Sequence, residues 1–172
     1  AERLAAEAFR AAHAFFMVSG TTGSVQAMIL STVGRGDKII MPRNVHRSAI
    51  NALILCGAVP SYVNPGFEDT LGIALGMRTD DVAAAMERHP DAKAVFVNNP
   101  TYYGICSDLR AITEKAHARG MKVLVDEAHG THLYFSDRLP TAAMDAGADM
   151  AAISMHKSGG SLTQSSILLC AD

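Results

Sequence analysis

The sequence predicts a three-layer αβα domain on a mainly parallel, seven-stranded sheet with one antiparallel strand. Three observations lead there. Apolar runs rich in β-branched residues recur along the chain with helical patterns between them. That alternation marks strand–helix–strand units with helices on both faces of a sheet. Several of the runs are continuous rather than alternating, as suits strands covered on both sides. The last two runs are joined by a link too short for a crossover helix, so the final strand should return antiparallel to its neighbour.

The elements follow in order. Residues 2–14 carry Leu4, Ala5, Ala8, Ala11 and Ala12 at helical spacing. FFMV at 15–18 is the first strand, followed by a helix over 23–33. KIIM at 38–41, a helix over 47–56 and AVPSYV at 58–63 come next. A helix over 79–88 precedes KAVFVN at 93–98. The helix over 108–119 has Ser107 as its expected N-cap and Gly120 past its end. MKVLVD at 121–126, DMAAIS at 149–154 and SSILLC at 165–170 complete the seven. No repeat, linker or low-complexity stretch interrupts the pattern, so 172 residues read as one domain with a sizeable core.

Composition narrows the function classes. The chain is 49% hydrophobic and 19% charged, which is globular rather than disordered. A net charge of −2 gives no electrostatic case for nucleic acid or an anionic membrane surface. No apolar run reaches the ~18 residues of a membrane span. The opening AERLAAEAFRAAHAFF carries charge and helical periodicity, unlike a signal peptide. Cys56, Cys106 and Cys170 are odd in number and far apart, which reads as reduced thiols of a cytoplasmic protein. The chain lacks an initiator methionine and stops at SSILLCAD, so it is expected to be a piece of something longer.

In an open α/β sheet, ligands bind beyond the carboxyl ends of the strands. Those ends collect Ser19-Gly20-Thr21-Thr22-Gly23-Ser24, Pro42-Arg43-Asn44-Val45-His46-Arg47 and Asn99-Pro100-Thr101-Tyr102-Tyr103-Gly104. They also collect Asp126-Glu127-Ala128-His129 and Ser154-Met155-His156-Lys157. SGTTGS can be an ordinary turn opening a helix, or an anion cradle of backbone N–H groups and hydroxyls. It is no nucleotide P-loop, because no Gly-Lys-Ser/Thr follows. Asp126, ending an apolar run, should be half buried, and a buried carboxylate needs partners. His46 alone reads as a capping or surface residue, and Lys157 alone as a loop charge. Asp126, His129 and His132 form a poor metal set: the histidine spacing is wrong and no cysteine or HExxH joins them. His13, His89 and His117 read as structural, and Cys106 as a packed thiol. No GxSxG nucleophile elbow is present.

Taken together, these stretches carry a resemblance. DEAHG at 126–130, SMHK at 154–157 followed by LTQSS, and SGTTGS followed by QAMIL resemble pyridoxal-phosphate enzymes of the aspartate-aminotransferase fold type. PRNVHRS at 42–48 and NNPTYYGICSDL at 98–109 narrow it to the major domain of the bacterial-type ornithine/lysine/arginine decarboxylases. The resemblance spans essentially the whole chain, with the motifs in the family's order.

The resemblance implies the large domain of a pyridoxal-phosphate-dependent transferase-like fold. It implies that Lys157 joins the cofactor covalently, that Asp126 binds the pyridine nitrogen and that His46 stacks on the ring. Thr21, Thr22, Gly23 and Ser154 would hold the phosphate. His156 would lie near the phosphate or the substrate carboxylate. His129 falls among the cofactor-binding positions without a defined role. The reaction implied is decarboxylation of arginine, lysine or ornithine to agmatine, cadaverine or putrescine, in a homodimer or larger assembly. Residues 1–172 would be the major domain, lacking an N-terminal part and a small C-terminal domain, and weakly active or inactive alone. Two other readings stay open: another enzyme of the fold type (aminotransferase, aldolase or cysteine desulfurase), or a non-catalytic domain that keeps the fold.

Overall fold

The computed structural model describes residues 1–172. Its elements, in chain order, are α1 (Glu2–Ala8), β1 (His13–Phe16), α2 (Gly20–Thr32), β2 (Lys38–Pro42), α3 (Arg47–Cys56) and β3 (Val59–Val63). A hairpin of two-residue strands, β4 (Phe67–Glu68) and β5 (Ile73–Ala74), leads to α4 (Thr79–Arg88) and β6 (Ala94–Asn98). Then come α5 (Leu109–His117), β7 (Lys122–Glu127), a 3₁₀ turn η1 (Thr131–Phe135), β8 (Met150–Ser154), α6 (Met155–Ser158) and β9 (Ser166–Cys170).

Seven strands form one sheet in the order β1-β9-β8-β7-β6-β2-β3. Pairings among β8, β7, β6, β2 and β3 are parallel. β9 is antiparallel to β8 and to β1, so β1 runs with the other five. This is the expected sheet: mainly parallel with one reversed strand. No helix is long and apolar enough to cross a membrane.

The continuous apolar runs are explained by two cores, one on each face. Ile39, Met41, Phe96, Leu124, Ala152 and Leu168 meet α2 and α3 through Val25, Met28, Ala52 and Leu53. Their alternates Ile40, Val95, Val97, Val123, Val125, Ile153 and Ile167 meet Val82, Met86, Ile112 and Ala116 of α4 and α5. Side chains of a strand alternate in direction, so each such run feeds both cores.

Four boundaries differ from the sequence reading. The first helix stops at Ala8, because Arg10 turns to φ +54 and its guanidinium reaches Tyr134 O (2.9 Å) and Asp145 (2.6 Å). Residues 13–16 then pair with β9, so the first strand sits two residues earlier than FFMV. The second helix begins at Gly20 rather than residue 23, which puts Thr21, Thr22 and Gly23 in its first turn. Asp108, not Ser107, caps α5 by accepting Ala111 N–H, while Ser107 Oγ accepts Met77 N–H from the preceding loop. Gly120 is left-handed (φ +71) but lies beyond the Ala118 cap. The β4–β5 hairpin and η1 were not foreseen, being too short to show a period.

Candidate active site

Parallel strands point their carboxyl ends to one edge, and the polar loops meet there around a cavity of about 400 Å³. Ser19 to Thr22 reach it from the end of β1, and Asn44 to His46 from β2. Asn98 and Tyr102 come from β6, Asp126, Ala128 and His129 from β7, and Ser154, His156 and Lys157 from β8. Thr163 and Gln164 close the rim from the segment returning to β9. Only three of the 18 lining residues are hydrophobic, which suits a charged ligand.

Lys157 rides on α6, the single helical turn that follows β8. Its Nζ stands 3.3 Å from His129 Nε2. Burial depresses the His129 pKa, and the charges of Lys157 and His46 depress it further. A neutral imidazole in that position accepts from the lysine ammonium. Tyr102 packs edge-on against the His129 ring, with centroids 5.5 Å apart.

Asp126 is more deeply buried than expected, at 4% exposure. Its Oδ1 accepts Ala128 N–H at 3.2 Å. Burial pushes its pKa up, while the Ala128 N–H and the charges of His46 and Lys157 pull it back. A carboxylate that costs this much to keep dry calls for a positive partner in the cavity.

The N-terminus of α2 supplies the other end. First-turn N–H groups of a helix have no intrahelical acceptor, and they carry the positive end of the dipole. Gly20 takes φ +69 to bring the chain into that turn. The Thr21 hydroxyl touches Ser154 Oγ from β8. Thr22 is exposed on the same rim. Gly23 does not line the cavity; a Cβ there would collide with the Ser19 side chain.

His46 fills both roles that its position allows. Its Nδ1 accepts Ser48 N–H at 3.1 Å, capping α3, and its ring lines the cavity. His156 Nδ1 lies 3.0 Å from Ser165 O and 3.2 Å from Ser165 N, which ties α6 to the returning segment. His132 sits exposed on η1, outside the cavity, apart from Asp126 and His129.

Of the residues given cofactor-binding or catalytic roles in the sequence analysis, all but Gly23 line this cavity. Asn44, Asn98, Tyr102, Thr163 and Gln164 also line it without having been assigned a role. For Thr163 and Gln164 the signal was present: an antiparallel return must bring the segment before β9 back over the β8 end. Glu127 escaped notice for another reason, since it faces the opposite side of the strand. It is fully buried, accepts Tyr134 O–H at 2.5 Å and Ala143 N–H at 2.8 Å, and burial pushes its pKa up to about 8.

Comparison with known proteins identifies the family. The family profile described as Orn/Lys/Arg decarboxylase, major domain, matches residues 1–172. Arginine decarboxylase of Halalkalibacterium halodurans is 55% identical over 168 residues, covering 98% of this chain and 34% of that protein. Arginine decarboxylase of Bacillus subtilis is 54% identical with the same coverage. The chain therefore spans about a third of the length of these relatives. Among solved structures, lysine decarboxylase A of Pseudomonas aeruginosa superposes with a TM-score of 0.88 at 27% identity, covering 99% of this chain and 25% of that one.

Proposed function

Because this chain belongs to the Orn/Lys/Arg decarboxylase family through its major domain, we propose that it is the cofactor-binding domain of a decarboxylase of basic amino acids, with arginine as the substrate. The arginine decarboxylase names of its 54–55% identical relatives support arginine over lysine or ornithine. The observation that carries the reading is the cavity itself: one lysine amine, one buried carboxylate and one helix N-terminus around about 400 Å³.

That donor set fits pyridoxal phosphate. The α2 first turn, with Thr21, Thr22 and Ser154, would hold the phosphate. Gly23 would contribute by leaving room for the Ser19 side chain. Asp126 would meet the pyridine nitrogen, Lys157 would carry the cofactor, and His46 would cover one ring face. Bound there, pyridoxal phosphate supplies an electron sink for the pair left when the substrate carboxylate departs as carbon dioxide.

The chain's own groups do the rest. Asp126, as an anion in a dry site, holds a proton on a cationic ring nitrogen opposite it. His129 accepts a hydrogen bond from the Lys157 ammonium and so is placed to take its proton, freeing the amine as a nucleophile. His156, held at Nδ1 by Ser165, keeps Nε2 for a carboxylate or phosphate oxygen.

Only Asp126 among the lining residues is acidic, and the cofactor would occupy it. The basic end of the substrate must then be recognised by groups beyond this chain, from a further domain or a second subunit of a dimer. Residues 1–172 are accordingly the major domain of a longer cytoplasmic enzyme, weakly active or inactive alone. Its three unpaired cysteines fit a reducing compartment.

The test uses the full-length protein. Carbon dioxide release is assayed with arginine, lysine and ornithine, and borohydride reduction in the presence of pyridoxal phosphate is followed by peptide mass. Release from arginine and an adduct on Lys157 are expected. Amino transfer to an oxoacid without carbon dioxide release would refute the proposal.

A further inference from the structure

Behind the phosphate end of the cavity lie four hydroxyls whose protons can be counted. Ser166 Oγ donates to Ile153 O at 2.9 Å. A carbonyl only accepts, so the single Ser166 proton is committed. The same oxygen is 2.9 Å from Ser24 Oγ and 3.1 Å from Thr21 Oγ1, and both must therefore donate to it. The other acceptors in reach, Gly20 O for Ser24 and Ile153 O for Thr21, are each 3.5 Å away, too long for a normal O–H···O bond. With the Thr21 proton spent on Ser166, the Thr21–Ser154 contact must be closed by the Ser154 proton.

In that resting arrangement these four protons are all spent on neighbours, and Thr21 and Ser154 offer the cavity only lone pairs. An anion needs the reverse. Thr21 can turn its proton outward, directly or through Ser154, provided the buried Ser166 oxygen keeps another donor. Ser24, 0% exposed and outside the cavity lining, is that donor.

We propose that Ser24 is a positioning residue for phosphate binding: by satisfying Ser166 it releases the Thr21 hydroxyl to the anion. The inference rests on the reading of the cavity as a pyridoxal-phosphate site. Without Ser24, turning Thr21 outward would leave a buried hydroxyl oxygen with no donor, a costly outcome in a dry site.

The test compares dissociation constants of pyridoxal phosphate and of unphosphorylated pyridoxal, by absorbance titration of the full-length protein. Ser24→Ala should weaken pyridoxal phosphate about fivefold, in keeping with one hydrogen bond, and leave pyridoxal unchanged. Alanine is favourable within α2, so the variant folds. Ser24→Cys fills the volume with a weak donor and should weaken pyridoxal phosphate similarly. Unchanged pyridoxal phosphate binding in Ser24→Ala, or equal losses for both ligands, would overturn the role given to Ser24. A wild type that binds pyridoxal as well as its phosphate would instead overturn the cofactor reading, and this inference with it.

Discussion

Lys157 Nζ and His129 Nε2, carried by different strand ends, stand 3.3 Å apart, and burial, with the charges of Lys157 and His46, lowers the pKa of the imidazole. The pair has the sense of an ammonium donating to a base. A protonated His129 could not accept from it.

The pH dependence of kcat/KM should show this. The His129 pKa lies below its ordinary 6.5, so the acid-side fall attributable to it should begin only at lower pH. His129→Gln keeps a hydrogen-bonding side chain but cannot take a proton. It should remove that limb and lower the rate by roughly 100-fold, the scale of a lost general base. An unaltered profile would mean His129 handles no proton.

Asp126→Asn separates folding from binding. Asparagine can still accept Ala128 N–H, and it removes a buried charge that desolvation disfavours. The thermal midpoint of the free protein should hold or rise. Affinity for pyridoxal phosphate should fall by about 10- to 100-fold, the scale of one charge-assisted hydrogen bond. A lower midpoint with intact affinity would contradict the assignment.

Glu127 makes stability depend on pH. Its folded pKa of about 8 lies above the 4.5 of a free glutamate, so the folded state holds the extra proton between those values. Its contribution is fully present below about pH 4.5 and is lost as pH rises to about 8. The slope is at most ~1.4 kcal/mol per pH unit. Glu127→Gln offers an amide to Tyr134 and a carbonyl to Ala143 N–H, mimicking the protonated acid. Urea unfolding at pH 5, 7 and 8.5 should show a flatter dependence in this variant.

Gly130→Ala tests the end of the DEAHG turn. A Cβ there would strike the Glu127 side chain and sit 2.8 Å from Pro100 Cδ and 3.1 Å from Leu133 Cδ1. These groups are buried and packed, so the cost should be ~1–3 kcal/mol. A shift in the chemical denaturation midpoint measures it directly.

Much of this was legible beforehand, for a physical reason. A strand buried on both faces must be apolar throughout, so KAVFVN and MKVLVD announced themselves, and the polar residue ending each marked the edge where ligands gather. His46 could be read as a cap or as part of a site because helix N-termini and strand ends coincide there. What escaped was decided by pairing at long range. Residues 9–12 look helical by composition, yet Arg10 bends away to reach Tyr134 and Asp145, far along the chain. Glu127 follows Asp126 directly, but the pleat sends neighbours to opposite faces, one to the cavity and one to Tyr134.

The reversed strand β9 is the sole link between β1 and the rest of the sheet, with His13 opposite Cys170. During ribosomal synthesis β1 must therefore wait, unpaired, until residues 166–170 have emerged. The α2 turn that follows β1 can reach its final position against Ser154 and Ser166 only once β9 has inserted. Such high contact order slows folding, and it leaves this edge of the nascent sheet open to chaperones or to mispairing until β9 is in place.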